Sequence, residues 1–108
     1  MQGFQLTFFT CQTELHHGKP LAHWLVEMAR EIGIDGATLV PATEGFGHHR
    51  RIHSAHFVEL ADQPLEVIMA VTAVDADRLF ERLRRERVKL FYTRMPVEFG
   101  MTFEGPEP

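Results

Sequence analysis

Residues 36–43 read GATLVPAT, a β-prone run that is interrupted by Pro41. Proline cannot donate a hydrogen bond to a sheet ladder, so this strand belongs at a sheet edge or at a bulge. Pro96 interrupts the last β-prone run, at about residues 94–99, and gives that strand the same position. Residues 65–74 are strongly β-prone and contain no proline, which is typical of a central strand.

One more strand and two helices complete the predicted order. Residues 4–11 alternate with a period of two, which predicts the first strand. Pro20 suits a first helical turn, and the apolar residues that follow at spacings of three and four predict a helix that stops near Gly33. Asp75 is the expected N-cap of the second helix. The buried stripe of that helix is expected to contain Leu79, Phe80 and Leu83.

The order β-α-β-β-α-β predicts an α+β protein with a ferredoxin-like antiparallel sheet of strand order 4-1-3-2. The second and fourth strands are the edges of such a sheet, so both proline-containing strands fall where proline is tolerated. The length fits one domain over residues 1–108. We expect its core at about 4–100, a loop at about 45–56 and a short tail at 101–108.

Composition and charge exclude several classes of function. The formal net charge of −4 gives no global electrostatic basis for nucleic-acid binding. No window is apolar for long enough to insert into a membrane, and the first residues lack the features of a targeting peptide, so we expect a cytoplasmic protein. No nucleophile-elbow, phosphate-loop or zinc-protease motif is present, so we expect a protein that is not an enzyme.

Candidate binding chemistry is concentrated in residues 44–56, EGFGHHRRIHSAH. Glycines permit close backbone approach to an anion, and the guanidinium groups of Arg50 and Arg51 can grip a phosphate or carboxylate. A glycine-permitted turn with a solvated basic tip is the alternative interpretation. A metal site is another, because His53 and His56 can bind zinc, copper or nickel if the chain turns between them.

Five short motifs, in this order and spacing, resemble the PII-like family catalogued as domain of unknown function 190. The motifs are GKPL at 18–21, AREIG at 29–33, GATLV at 36–40, EGFG at 44–47 and RIHSA at 51–55. The resemblance covers roughly residues 4–99. It implies the ferredoxin-like fold of the nitrogen regulatory PII superfamily, assembly into a homotrimer, and small-molecule sites in the clefts between subunits.

The resemblance also implies a signal-transduction function. In nitrogen-regulatory PII proteins the strand that matches residues 38–47 opens into a loop that contacts partner proteins, and adenine nucleotides bind at its base. We therefore expect binding of a small anionic metabolite, with an adenine nucleotide as the candidate ligand, and a partner that is a membrane transporter or a regulatory protein. The expected ligand-binding residues are Thr38, Gly45, Gly47, His48, His49, Arg50, Arg51, His53, Lys89 and Arg94.

The chain departs from the PII pattern in three places, one of which is that nothing in it matches the arginine-rich C-terminal end of PII proteins. It has no tyrosine between Gly47 and the next long strand, so the uridylylation site of many PII proteins is absent. It also lacks their glycine-rich, lysine-containing loop after the second helix, for which Arg87, Lys89 or Arg94 are the candidate replacements. The main hypothesis includes no metal. The alternative is a CutA-like trimer that binds a divalent metal through His53 and His56, and the pair at 16–17 can complete such a site across a subunit boundary.

Overall fold

The computed structural model describes residues 1–46, 52–54 and 63–108, and for 44–46 and 52–54 it describes the backbone alone. Eight strands and two helices lie in these ranges. In chain order they are β1 Gln2–Cys11, β2 Leu15–His16, β3 Lys19–Pro20, α1 Leu21–Ile32, β4 Thr38–Pro41, β5 Glu44–Phe46, β6 Ile52–Ser54, β7 Pro64–Val71, α2 Ala73–Arg85 and β8 Phe91–Glu98.

Four of the strands form an antiparallel sheet in the order β4-β7-β1-β8. The four predicted strands correspond, in chain order, to β1, β4, β7 and β8. The observed order is therefore 4-1-3-2 in the predicted numbering, read from the opposite edge, and the predicted fold class is confirmed. Pro41 and Pro96 lie in the two edge strands. The central strand β7 has a proline only at its first residue, Pro64, where the ladder tolerates it.

Both helices pack on one face of the sheet. Leu6 and Phe8 of β1 and Val67 of β7 are fully buried there, against Leu25 of α1 and Leu79 of α2. Burying an aliphatic or aromatic side chain of this size stabilises the fold by about 1.5–3 kcal/mol. This layer of apolar contacts therefore fixes how the helices, and the residues at their ends, lie relative to the sheet.

The end of α1 is the one that the sequence predicts, whereas Pro20, expected in the first helical turn, is the last residue of β3 and the N-cap of the helix. The helix begins directly after Pro20 and ends at Gly33, which has a φ of 99°. That left-handed conformation is unfavourable for residues with a Cβ atom, so glycine suits the position. The amide groups that follow the helix donate to the carbonyls of Ala29 and Arg30.

The start of α2 differs from the prediction. Thr72 is the N-cap, because its Oγ1 accepts a hydrogen bond from the Asp75 N–H at 3.1 Å. The assignment of Asp75 as the N-cap is therefore wrong, and the strand predicted to reach residue 74 ends at Val71. The apolar run hides this boundary, since Ala73 and Val74 continue its β-prone pattern. Asp75 lies in the first helical turn, where the helix dipole favours its negative charge.

A short hairpin, β2 and β3, precedes α1 and is absent from the predicted order. It pairs Leu15 with Pro20 and His16 with Lys19, which leaves a two-residue turn. Both turn residues have positive φ, 52° at His17 and 78° at Gly18. Such a pair of angles suits the twist of a tight hairpin. Strands of two residues are too short to give a periodic pattern, so the sequence does not predict them.

A second short ladder lies within the segment that the sequence predicts as a loop. Strands β5 and β6 pair antiparallel, with Glu44 opposite Ser54 and Phe46 opposite Ile52. Residues 47–51 and 55–62 lie outside the described residues. The last strand, β8, begins at Phe91, three residues before its predicted start. Within the described ranges, no helix is long and apolar enough to cross a membrane.

Candidate functional site

Arg94 is an exposed cation on the edge strand β8, opposite Leu6 of β1. Its guanidinium carbon lies 3.9 Å from the ring centroid of Phe4 and 5.9 Å from that of Phe80. Both distances fall within the range of a cation–π contact. Arg94 forms no ion pair with a carboxylate of the described residues. The rings thus orient the guanidinium plane, and its N–H groups are available to an anion.

Thr38 lies at the opposite edge of the same sheet. It is the first residue of β4, it pairs with Ile68 of β7, and it is exposed. The edge strands β4 and β8 are three strand spacings apart, which is about 14 Å. Thr38 and Arg94 of one chain therefore do not line the same small pocket. Lys89 is exposed two residues before β8 and has no carboxylate partner among the described residues.

The other predicted site residues are described in part or not at all. Gly45 of β5 pairs with His53 of β6 through the backbone. Gly47, His48, His49, Arg50, Arg51 and His56 lie outside the described residues. The arginine contribution to an anion site and the metal site of His53 and His56 therefore stay predictions.

The best-defined polar cluster of the described residues lies at the end of α2, around the carboxylate of Glu86. His16 Nε2 is 2.9 Å from Glu86 Oε1, and His17 Nε2 is 3.4 Å from the same oxygen. Arg82 Nε contacts the other oxygen, Oε2. The β2–β3 hairpin thus holds two imidazoles on one side of the carboxylate, and α2 holds a guanidinium on the other.

Packing fixes the imidazole of His16. Its ring centroid lies 4.3 Å from that of Trp24 on α1 and 4.1 Å from that of His17. The side chains of His16 and Glu86 are only 15% and 19% exposed, whereas that of His17 is 72% exposed. One imidazole and the carboxylate are therefore held in place, and the second imidazole faces solvent.

The cluster favours the ionised form of Glu86. The hydrogen bond with His16, followed by that with Arg82, lowers the pKa of Glu86 from 4.5 to about 2, against the opposing effect of desolvation. The carboxylate therefore stays negative at any physiological pH. It is available as a hydrogen-bond acceptor or as a ligand for a cation.

A groove of about 410 Å³ runs beside this cluster, between α1 and α2. It is lined by Glu31, Ile32, Arg78, Glu81, Arg82 and Arg85. Arg82 Nη1 lies 3.8 Å from Glu31 and Arg78 Nη1 lies 3.7 Å from Asp75. Because acidic side chains balance much of this positive charge, the groove is a weaker candidate for an anion than the edge at Arg94.

The sequence suggests that His16 and His17 can complete a metal site across a subunit boundary, which stays a prediction, and in the structure both contact Glu86 of the same chain. The contact spans 70 residues, so no local pattern reveals it. Two weak signals exist. Gly18 after the histidine pair indicates a turn, and Glu86 follows Arg82 by four residues, the spacing of an ion pair on a helix.

Comparison with known proteins identifies the fold and the family. Similar structures include a protein from Thermus thermophilus described as PII-like and signaling, with a TM-score of 0.66, 21% identity and coverage of 89% of this chain and 87% of that one. CPII from Thiomonas intermedia K12, a nitrogen regulatory PII-like protein bound to ADP, AMP and bicarbonate, has a TM-score of 0.59, 20% identity and coverage of 90% and 89%. CutA from Xylella fastidiosa has a TM-score of 0.53, 17% identity and coverage of 93% and 86%. At these identities the likeness establishes a PII-like fold.

The assignment of the chain to a family comes from sequence similarity. A UPF0166 protein from Aquifex aeolicus (strain VF5) is 31% identical over 81 residues, which cover 75% of this chain and 74% of that protein. The family model of domain of unknown function 190, described as "Uncharacterized ACR", matches residues 3–99. The resemblance found in the five motifs is confirmed, and the chain belongs to the family of domain of unknown function 190.

Proposed function

We propose that this chain is a PII-like regulatory protein that binds a small anionic metabolite in the clefts between the subunits of a homotrimer, without catalysing a reaction. The observation that carries the proposal is the geometry of Arg94. Its guanidinium lies over Phe4 on an exposed strand and has no carboxylate partner in the described part of the chain. A guanidinium held in this way offers parallel N–H donors that match a phosphate or a carboxylate.

An adenine nucleotide is the ligand class that we propose first. Support comes from CPII, which has the same fold and is bound to ADP, AMP and bicarbonate. A nucleotide phosphate would meet Arg94, and Lys89 would add a second positive charge near the start of β8. Bicarbonate is a smaller anion that the same guanidinium could bind through two hydrogen bonds.

The proposed homotrimer is supported by the sheet face that turns away from the helices. Alternation along β1 puts Phe9 on this face, where its ring lies 5.6 Å from that of Phe91. Phe91 and Met95 of β8 are 54% and 51% exposed. Copies of the chain that pack through this face would bury these side chains. The proposed cleft further requires that the Thr38 edge of one copy lies next to the Arg94 edge of another, because the two edges of one chain are about 14 Å apart.

Signalling is proposed to act through residues 45–56. A ligand that makes contacts in one conformation of this segment and not in another shifts the population between them, and this changes the surface shown to a partner. The β5–β6 ladder lies at the two ends of the segment. The partner would be a membrane transporter or another regulatory protein, as the family resemblance implies.

Titration calorimetry with ADP, AMP and bicarbonate tests the proposed function. Arg94→Gln removes the guanidinium and should lower the affinity for ADP by about tenfold or more, because a hydrogen bond to a charged group contributes about 1.5–3 kcal/mol. Lys89→Gln should lower it less. Arg84→Gln is the matched control, because Arg84 is 69% exposed and pairs with Glu81. Equal ADP affinity in wild type and Arg94→Gln would overturn the assignment of the site.

The CutA-like alternative assigns a different ligand and different binding residues to the same protein. It requires a divalent metal bound by His53 and His56, and of these two residues only the backbone of His53 is described. The test is a Zn²⁺ titration of a His53→Ala/His56→Ala variant. If the wild type binds no nucleotide, and if it binds Zn²⁺ whereas the double variant does not, the CutA-like alternative replaces the anion-binding proposal.

A further inference from the structure

We propose that His16, His17 and Glu86 form a binding site for a divalent metal ion of the zinc class. The proposal goes beyond the anion-binding function and uses none of its residues. Two imidazole nitrogens and one carboxylate oxygen are a donor set that zinc commonly accepts from proteins. This combination leaves the fourth position of a tetrahedral ion for water or another ligand.

The distances fit such an ion. One ligand atom from each of the three residues lies within 4.8 Å of the other two. Two ligands on a tetrahedral zinc ion with bonds of 2.0–2.2 Å are about 3.4 Å apart. The carboxylate oxygen Oε1 lies 2.9 Å from His16 Nε2 and 3.4 Å from His17 Nε2. The two imidazole ligand atoms lie within 4.8 Å of each other, so bringing all three ligand atoms to about 3.4 Å requires side-chain adjustments of up to about 1 Å.

Neighbouring residues hold two of the three ligands in position. Arg82 contacts the oxygen of Glu86 that faces away from the histidines, which fixes the carboxylate plane. Trp24 packs against the ring of His16. Outer contacts of this kind orient ligands in known metal sites. The positive charge of Arg82 opposes the binding of any cation. We place Zn²⁺ here, rather than a metal held by oxygen ligands alone, because two of the three donors are imidazole nitrogens.

The hairpin turn brings the third ligand to the site. His17 has a φ of 52°, so the chain reverses directly after His16 and both imidazoles meet the same carboxylate oxygen. In an extended strand, adjacent side chains would point to opposite faces. Because the His17 side chain is 72% exposed, the open coordination position would lie on the solvent side.

A second histidine–glutamate pair shows what the site has that an ordinary ion pair lacks. His23 Nε2 lies 2.8 Å from Glu27 Oε1 on α1, and Lys19 Nζ lies 3.5 Å from the other oxygen, Oε2. Both glutamates thus have a basic side chain on their second oxygen, and what the His23 pair lacks is a second imidazole. Among the described residues, it does not belong to a group of three metal-ligand side chains, whereas His16, His17 and Glu86 do.

Metal binding releases a proton only from a ligand that is protonated beforehand. A metal ion takes the Nε2 lone pair of each imidazole, and a neutral imidazole then carries its remaining proton on Nδ1. An imidazolium loses one proton to solvent when it binds the metal. Glu86 binds as the carboxylate, so it releases no proton.

Titration of the metal-free, untagged protein with Zn²⁺ near neutral pH tests the proposal. Calorimetry gives the affinity. Cu²⁺ provides a local readout, since Trp24 is the chain's only tryptophan and lies against His16, so Cu²⁺ at this site should quench its fluorescence. His17→Asn removes one imidazole and keeps the turn, because asparagine tolerates a positive φ. Glu86→Gln removes the charged ligand, and His23→Asn is the matched control.

We expect one Zn²⁺ per chain at this site. His17→Asn and Glu86→Gln should each weaken the affinity by more than about tenfold, because even the loss of an outer contact costs that much in known sites. His23→Asn should bind as the wild type does. Circular dichroism of each metal-free variant checks that it is folded, and His17→Asn keeps the test valid if Glu86→Gln is unstable.

Two outcomes would overturn the proposal. One is the absence of Zn²⁺ binding, with no quenching of Trp24 by Cu²⁺. The other is binding that persists in His17→Asn and disappears in His53→Ala/His56→Ala, which would put the metal in residues 45–56. Neither outcome concerns ADP, so failure of the metal site is distinguishable from failure of the proposed function.

Discussion

Replacing Glu86 with glutamine should lower the free energy of unfolding, and the loss should depend on pH. The folded protein holds the pKa of Glu86 at about 2, compared with 4.5 for the unperturbed group. Because the folded value is the lower one, the stabilisation is complete above pH 4.5 and is lost as the pH falls toward 2. It comes mainly from the His16 hydrogen bond and then from Arg82.

The size of the effect follows from the pKa difference and from solvent screening. A shift from 4.5 to about 2 corresponds to about 3 kcal/mol if it is converted in full. The Glu86 side chain keeps contact with water, at 19% exposure, and water screens its charge. We therefore expect Glu86→Gln to cost about 1–2 kcal/mol at neutral pH and only a few tenths near pH 2.

Urea unfolding of both proteins at matched concentration measures this difference. A chelator in all samples removes any contribution from bound metal. Glu81→Gln is the control, because Glu81 lies on the same helix, is 64% exposed and pairs with Arg84. Its cost should stay within about 0.5 kcal/mol at every pH. A cost for Glu86→Gln that is equal at pH 7 and near pH 2 would refute the electrostatic explanation and leave packing as the cause.

Three further substitutions test the fold, each by urea or thermal unfolding. Thr72→Ala should cost about 1 kcal/mol, because it removes the Oγ1 that caps α2, and an unchanged stability would mean that Thr72 is not the cap. Leu79→Ala should cost about 2–5 kcal/mol because Leu79 is fully buried, whereas Val74→Ala, at a 67% exposed position, should change little; equal losses would contradict the core assignment. Gly3→Ala should cost about 1–3 kcal/mol, since a Cβ atom would overlap the Val71 carbonyl oxygen, and a neutral result would show that β1 and β7 can move apart there.

The arrangement of the sheet could be predicted because few chemical features determine it. Pro41 and Pro96 restrict their strands to the edges, and both lie there in the structure. Gly33 marks the end of α1 because its backbone conformation suits glycine. These are local constraints that act in the same direction as the β-α-β-β-α-β order. A fold can be predicted from the sequence when such local constraints agree with one another.

The remaining features depend on contacts that no local pattern encodes. Thr72 caps α2 where the apolar pattern of the preceding strand runs on through Val74, so periodicity alone misplaces the boundary. His16 meets Glu86 across 70 residues, and this pairing exists only after the hairpin has packed beside the end of α2. A sequence shows that histidines and carboxylates are present, but tertiary packing decides which of them meet.

For the predicted anion-binding residues, too, the sequence names the candidates and the fold decides which of them lie close together. Thr38 and Arg94 could each be named from family motifs and position, but the separation of their strands comes from the sheet order. This separation is what makes the proposed site depend on two subunits. The exposed apolar side chains of β8, including Phe91 and Met95, are ones that the proposed homotrimer would bury.

The most direct test of the proposed site is complementation in mixed trimers, measured by ADP binding. Thr38→Glu and Arg94→Glu should each abolish binding in trimers of one kind, because every cleft then carries a repelling carboxylate. Co-expression of the two variants should restore binding in about a quarter of the clefts, those that take Thr38 from one kind of subunit and Arg94 from the other. If the mixed trimers bind no ADP although the wild type does, Thr38 and Arg94 do not meet across a subunit boundary, and the proposed site between subunits is contradicted.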